Sequence, residues 1–197
     1  MQTLPSALLL GFAGLSFAAA VAAQLTPQPT APATAAEAAP ASPSVRVGKL
    51  TREQVEEAVP EWTLSEAKAA PDPAAARALG KVAPGATITI YLGTWCSDSQ
   101  REVSRFWRAL DELGDTLPAA VDLIGVDEAK KEPADLLAGA DLRYVPTITV
   151  RRDGKEVGRI VESSPHGIEV DLLDLLTGRA SGVLSLRADL APESSKP

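Results

Sequence analysis

The chain has 197 residues, 45% of them hydrophobic and 23% charged, which is the balance of a globular domain with extensions. A formal charge of −7 argues against a nucleic-acid partner, because phosphate binding needs clustered Lys and Arg. One cysteine and one histidine exclude an intramolecular disulfide, a Cys-rich metal site and a multi-His metal site, and no cofactor is expected.

Residues 1–23 predict a secretory signal peptide. The stretch 8–21 is almost wholly apolar, and Ala20, Val21, Ala22 and Ala23 supply small residues for cleavage. Met1, Gln2 and Thr3 bring no basic residue, so the terminal amine is the only positive charge at the start. An uncleaved membrane anchor is the alternative reading. Abundant small residues and the missing basic flank favour export to a periplasmic or extracellular location. No cysteine follows the apolar run, which excludes a bacterial lipoprotein anchor. Residues 24–44 are rich in Ala, Pro, Thr and Ser with one charge, Glu37, and read as a disordered linker stiffened by five prolines.

Residues 45–84 predict an N-terminal helical extension. Thr51 and Gln54 have capping-box spacing, and Val55, Ala58 and Val59 follow as a short apolar face that Pro60 ends. Trp62 and Leu64 are expected to anchor this part to the core. Pro71, Asp72 and Pro73 open a second helix that Gly80 stops.

From residue 85 the elements alternate. Ile88, Ile90 and Leu92 interleave with Thr87, Thr89 and Tyr91 as a strand. A helix follows, with Val103, Phe106, Trp107, Leu110 and Leu113 on one stripe. Residues 120–126 form a second strand, 128–132 a charged loop, and 133–137 a short helix. A strand over 147–151, a turn at Asp153-Gly154 and a return strand over 155–162 make a hairpin. Ile168, Leu172, Leu173, Leu175 and Leu176 give a last helix that ends at Gly178. Residues 180–197 read as a flexible C-terminal tail.

Cys96, the sole cysteine, stands where the first strand hands over to the long helix. A thiol at a helix start faces unpaired N–H groups and the positive end of the helix dipole, and both favour the nucleophilic thiolate. An unpaired carboxylate at Asp98 would oppose this, though its charge also suits the first turn of a helix. Two readings of Cys96 stand: an exposed reactive thiol, and an inert buried one.

Strand, Trp95-Cys96-Ser97-Asp98-Ser99 and helix, with Val145-Pro146-Thr147 leading into a later strand, resemble the thioredoxin family. The resemblance implies an α/β, thioredoxin-like fold over 85–179: a mixed sheet flanked by helices on both faces. It also implies that Pro146 is a cis-proline facing Cys96, that Trp95 forms a rim for substrate peptide, and that the Val145 backbone pairs with an extended substrate strand. Packing is the competing role for Trp95. Ser99 stands where the family carries its resolving cysteine, Asp98 replaces a common proline, and Ile90 replaces a buried acid.

Ser99 cannot close a second sulfur–sulfur bond, so a mixed disulfide at Cys96 needs an outside thiol for release. Its hydroxyl is expected to donate to the Cys96 sulfur. Arg101 and Arg105 read as a solvated face with acidic-substrate binding as the alternative, and His166 reads as a loop or capping residue. The expected partners are protein or peptide thiols and disulfides, with a low-molecular-weight thiol as resolving agent. A Cys96-linked dimer is a further expectation. The competing function is a non-catalytic thioredoxin-fold module that binds peptides or proteins in the cell envelope.

Overall fold

The computed structural model describes residues 44–114 and 116–190. The predicted signal peptide, the predicted linker up to residue 43 and the last residues of the predicted tail, 191–197, lie outside the described residues. In chain order the elements are β1 (Gly48–Leu50), α1 (Arg52–Ala58), α2 (Glu61–Lys68), α3 (Pro73–Leu79), β2 (Ala86–Leu92) and α4 (Ser97–Leu113). There follow β3 (Ala119–Gly125), α5 (Ala134–Leu137), β4 (Thr147–Arg152), β5 (Lys155–Val161), α6 (Ile168–Thr177) and β6 (Gly182–Leu184).

Local chemistry sets several of these boundaries. At the start of α1 the Thr51 hydroxyl accepts from the Gln54 N–H at 3.3 Å while Gln54 Oε1 accepts from the Thr51 N–H at 2.9 Å. Asp72 opens α3 by accepting from the N–H groups of Ala74 and Ala75 at 2.8 and 2.7 Å. Asp153 and Gly154, with φ of 52° and 75°, make the turn whose twist suits a two-residue hairpin between β4 and β5.

Among the described residues the strands join one six-stranded sheet in the order β1-β3-β2-β4-β5-β6. β2 runs parallel to β3 and antiparallel to β4, placing the end of β2 and the start of β4 side by side at one end of the sheet, with Tyr91 opposite Thr147. Ile88, Ile90, Leu92, Ile148, Val150 and Ile160 point to one face, where they pack with Trp62, Leu79, Phe106 and Leu172 from the helices. Full burial of each such side chain stabilises the fold by about 1.5–3 kcal/mol. Tyr91, Ile124, Val126 and Val145 form a smaller cluster on the other face, covered by Leu136 and Leu137 of α5. The fold is thioredoxin-like, with helices against a mixed sheet.

Three features differ from the sequence expectation. α1 ends at Ala58, ahead of Pro60 as expected, but a further helix was not foreseen: Pro60 itself occupies the N-cap of α2, and helix starts tolerate proline. Leu64 does not anchor that segment: it is 60% exposed while Trp62 is fully buried. On a helix the buried neighbour of Trp62 is four residues on, which makes it Glu66, whereas Leu64 falls on the opposite side. Residues 180–190 are not a loose tail. β6 lies parallel to β5, and beyond it Ser185 donates to the Val161 carbonyl at 2.8 Å.

Candidate functional site

β2 ends in buried Leu92, and a tight turn through Gly93, Thr94 and Trp95 then delivers Cys96 as the N-cap of α4. The Cys96 N–H donates to the Gly93 carbonyl at 3.0 Å, and the Cys96 carbonyl accepts from the Gln100 N–H at 3.0 Å. Its side chain makes no capping bond; it is half-buried and turned toward the loop before β4, where the S–H donates to the Val145 carbonyl at 3.4 Å. The Val145–Pro146 peptide is cis. Val145 and Pro146 are both buried, so the loop offers backbone to the sulfur. The Val145 N–H has no hydrogen-bond partner among the described residues.

Ser99 departs from its expected role. It is fully buried, and its Oγ accepts from the Gly93 N–H at 3.1 Å, with no hydrogen bond to the Cys96 sulfur. The hydroxyl braces the turn that presents the thiol. Trp95 braces it from the other side. Its Nε1–H donates to the Val126 carbonyl at 3.2 Å, and its ring lies so close over Gly93 that a Cβ there would sit 2.7 Å from Trp95 Cε2. Only glycine fits beneath that ring. Lys130 stands 5.8 Å from the ring centroid. Its loop is held by Asp127, which accepts from the N–H groups of Glu132, Lys131 and Ala129. Those bonds, the Glu132 N–H foremost, hold the Asp127 carboxyl below the usual carboxylate range.

The arginines of α4 are paired more fully than a solvated face requires. Arg101 bonds Asp98, Glu102 and Ser163. Arg105 reaches Glu169 through Nε at 2.9 Å and Nη2 at 2.6 Å. His166 is a loop residue, 70% exposed, whose Nδ1 lies 2.9 Å from Asp171 Oδ1.

Sequence reasoning missed two supports. Thr94 clamps the incoming chain: its hydroxyl donates to the Ser44 carbonyl at 2.8 Å and accepts from the Arg46 N–H at 3.1 Å. Tyr144, next to Val145, is tied to the segment after β6. Its hydroxyl donates to Asp189 at 2.8 Å, and Arg187 stacks 3.8 Å from its ring centroid. A threonine directly before the motif was the only signal for the first; nothing local marks the second.

No family model matches the sequence. A thioredoxin-like protein of Acanthamoeba polyphaga mimivirus is 24% identical over 97 residues, spanning 49% of this chain and 67% of that one. A Pseudomonas aeruginosa protein of unknown function superposes with a TM-score of 0.51 at 15% identity, covering 68% of this chain and 94% of the other. An HIV epitope scaffold superposes with the same score. A thioredoxin from Halobacterium salinarum is 23% identical over 50% of this chain, with a TM-score of 0.36. At 15% identity the two superpositions with a TM-score of 0.51 speak to the fold alone.

Proposed function

We propose that this thioredoxin-fold protein exchanges thiols and disulfides through Cys96 as a monothiol. The observation that carries the reading is the half-buried Cys96 sulfur at the start of α4, 3.4 Å from the Val145 carbonyl beside Pro146. The Cys96 thiolate attacks one sulfur of a substrate disulfide; a new sulfur–sulfur bond forms as the substrate bond breaks, and the second substrate sulfur leaves with the electron pair. The proton lost to solvent in forming that thiolate has already freed the Val145 carbonyl, which accepts from a substrate N–H while the Val145 N–H serves as donor. Trp95 forms the rim of that groove. With Ser99 in place of a second sulfur, an external thiol such as a low-molecular-weight thiol breaks the mixed disulfide. The reading includes export through residues 1–23 to a periplasmic or extracellular site, and a Cys96-linked dimer when no reductant is present.

One observation favours a second reading, a non-catalytic binding module. Ser99 is committed to Gly93, so its hydroxyl is not engaged with the sulfur. A quenched peptide disulfide separates the two when mixed with an excess of a small thiol. Acceleration by the wild type that is lost in Cys96→Ser supports exchange. Peptide binding of equal strength in both proteins, without acceleration, replaces it with the module. The mature N-terminus of protein recovered from a bacterial periplasm tests export.

A further inference from the structure

A cleft of about 700 Å³ lies by Val82, Arg152 and Leu176 at the far end of β2 from Cys96. A different one, about 380 Å³, opens between the end of α2 and the first turns of α4. Ser65, Lys68, Ser97, Gln100, Arg101 and Arg105 line it, and every charged residue in its wall is a cation. That is a local reversal in a chain whose formal charge is −7. Ser97 follows Cys96 directly, so the cleft begins one residue from the sulfur.

Of the acids that hold the two arginines, Glu102 is 6% exposed and Glu169 fully buried, while Asp98, the remaining partner of Arg101, is part-exposed and neutralises that arginine at the rim. Arg105 uses Nε and Nη2 on Glu169, which leaves Nη1 without a partner among the described residues. Lys68 makes no ion pair among the described residues, and the Ser97 hydroxyl makes no hydrogen bond there. An ammonium, a guanidinium with one unpaired nitrogen and a hydroxyl therefore line one cleft. Their shared complement is a carboxylate, which accepts charge-assisted hydrogen bonds from both kinds of cation.

We infer that this cleft recognises a carboxylate carried by the sulfur partner of Cys96. The inference rests on the proposed exchange at Cys96 and adds a substrate class to it. In the release step the incoming thiolate bonds to the partner sulfur of the mixed disulfide. The bond to Cys96 breaks, and its electron pair leaves on the Cys96 sulfur, so no net oxidation or reduction occurs. A carboxylate held at Lys68 and Arg105 keeps the partner's sulfur within reach during that step. The same chemistry is offered by a small thiol acid and by an acidic residue next to a client cysteine.

The test loads Cys96 with thiopyridine from dipyridyl disulfide and times the loss of thiopyridone as mercaptosuccinate or mercaptoethanol attacks the Cys96 sulfur and becomes its new partner, the bond to thiopyridone breaking with the electron pair on the departing sulfur. The readout is the ratio of the two rates in the wild type, Lys68→Glu and Lys68→Arg. The expected ratio falls about tenfold in Lys68→Glu, is kept in Lys68→Arg, and drops for the wild type in high salt. A ratio in Lys68→Glu within about twofold of the wild type overturns the inference and leaves exchange standing. A cysteinyl peptide with an adjacent Asp, compared with its Asn counterpart, shows whether a client supplies the carboxylate: a Lys68-dependent preference confined to these peptides assigns it to the client. Succinate titrated into Cys96→Ser judges the cleft without the exchange chemistry. Saturating NMR shifts at Lys68, Ser97 and Gln100 that vanish on adding Lys68→Glu are expected; their absence overturns the carboxylate site. Failure of Cys96 to take up thiopyridine removes the exchange reading, while the succinate result still decides the cleft.

Discussion

Two glutamates packed against α4 meet an arginine in opposite circumstances. Burial pushes the Glu169 carboxyl up, but two hydrogen bonds from Arg105 and one from the Asp72 N–H at 2.8 Å outweigh it and hold the group below its usual range. Burial also pushes Glu66 up, and there it wins: the carboxyl is raised to about 7 although Arg52 bonds it. Arg52 divides its donors among Glu56, Asp111 and Glu66, and Glu66 Oε2 is buried without a partner. Asp111 adds like charge from the side. Burial is common to both sites; the count of donors per oxygen decides which way each carboxyl moves.

Arg105→Met is the largest perturbation of this pair. It leaves Glu169 fully buried without its cation, so unfolding free energy in urea is expected to fall by about 3–5 kcal/mol, with most recovered when Glu169→Leu is added. The sign follows from the lowered carboxyl: the wild type gains stability from Glu169 above pH 4.5 and loses it as the pH falls into the acid range. Glu66 has the opposite sign. Its carboxyl is raised, so its contribution is complete below pH 4.5 and is lost as the pH rises through about 7. Glu66→Gln is therefore expected to stabilise the protein above neutrality, on the order of 1 kcal/mol, and to flatten the melting temperature across that window.

Ser99→Ala extends the comparison to a neutral group. It strips the Gly93 N–H of its acceptor, for an expected loss of about 1–2 kcal/mol and faster hydrogen exchange at Gly93. Leu64→Ser is the smallest change. An exposed α2 residue that anchors nothing is expected to stay within about 0.5 kcal/mol of the wild type by the same denaturation measurement.

The elements that were legible in the sequence are those with a strong local signal. The stripe from Val103 to Leu113, the Asp72-Pro73 opening of α3 and the Asp153-Gly154 hairpin all lie where the pattern places them. α2 was hidden because its buried face pairs Trp62 with Glu66, so it has no apolar period to read. β6 was hidden because three residues carry too little pattern, and its pairing with β5 is a long-range event. At the site, the meeting of Cys96 with the loop of Val145 and Pro146 was foreseen from a family resemblance; the commitment of Ser99 to Gly93 was not.

By itself the sequence determined that one thiol stands between a strand and a long amphipathic helix with no second cysteine in the chain, since composition and periodicity are properties of order along the chain. Tertiary structure decided the rest. Strands β2 and β4 had to pair before Cys96 met the Val145 carbonyl, and α2 had to dock beside α4 before Lys68, Arg101 and Arg105 shared a cleft. Partners tens of residues apart are chosen by which surfaces bury one another, and that choice leaves no local mark in the order of residues.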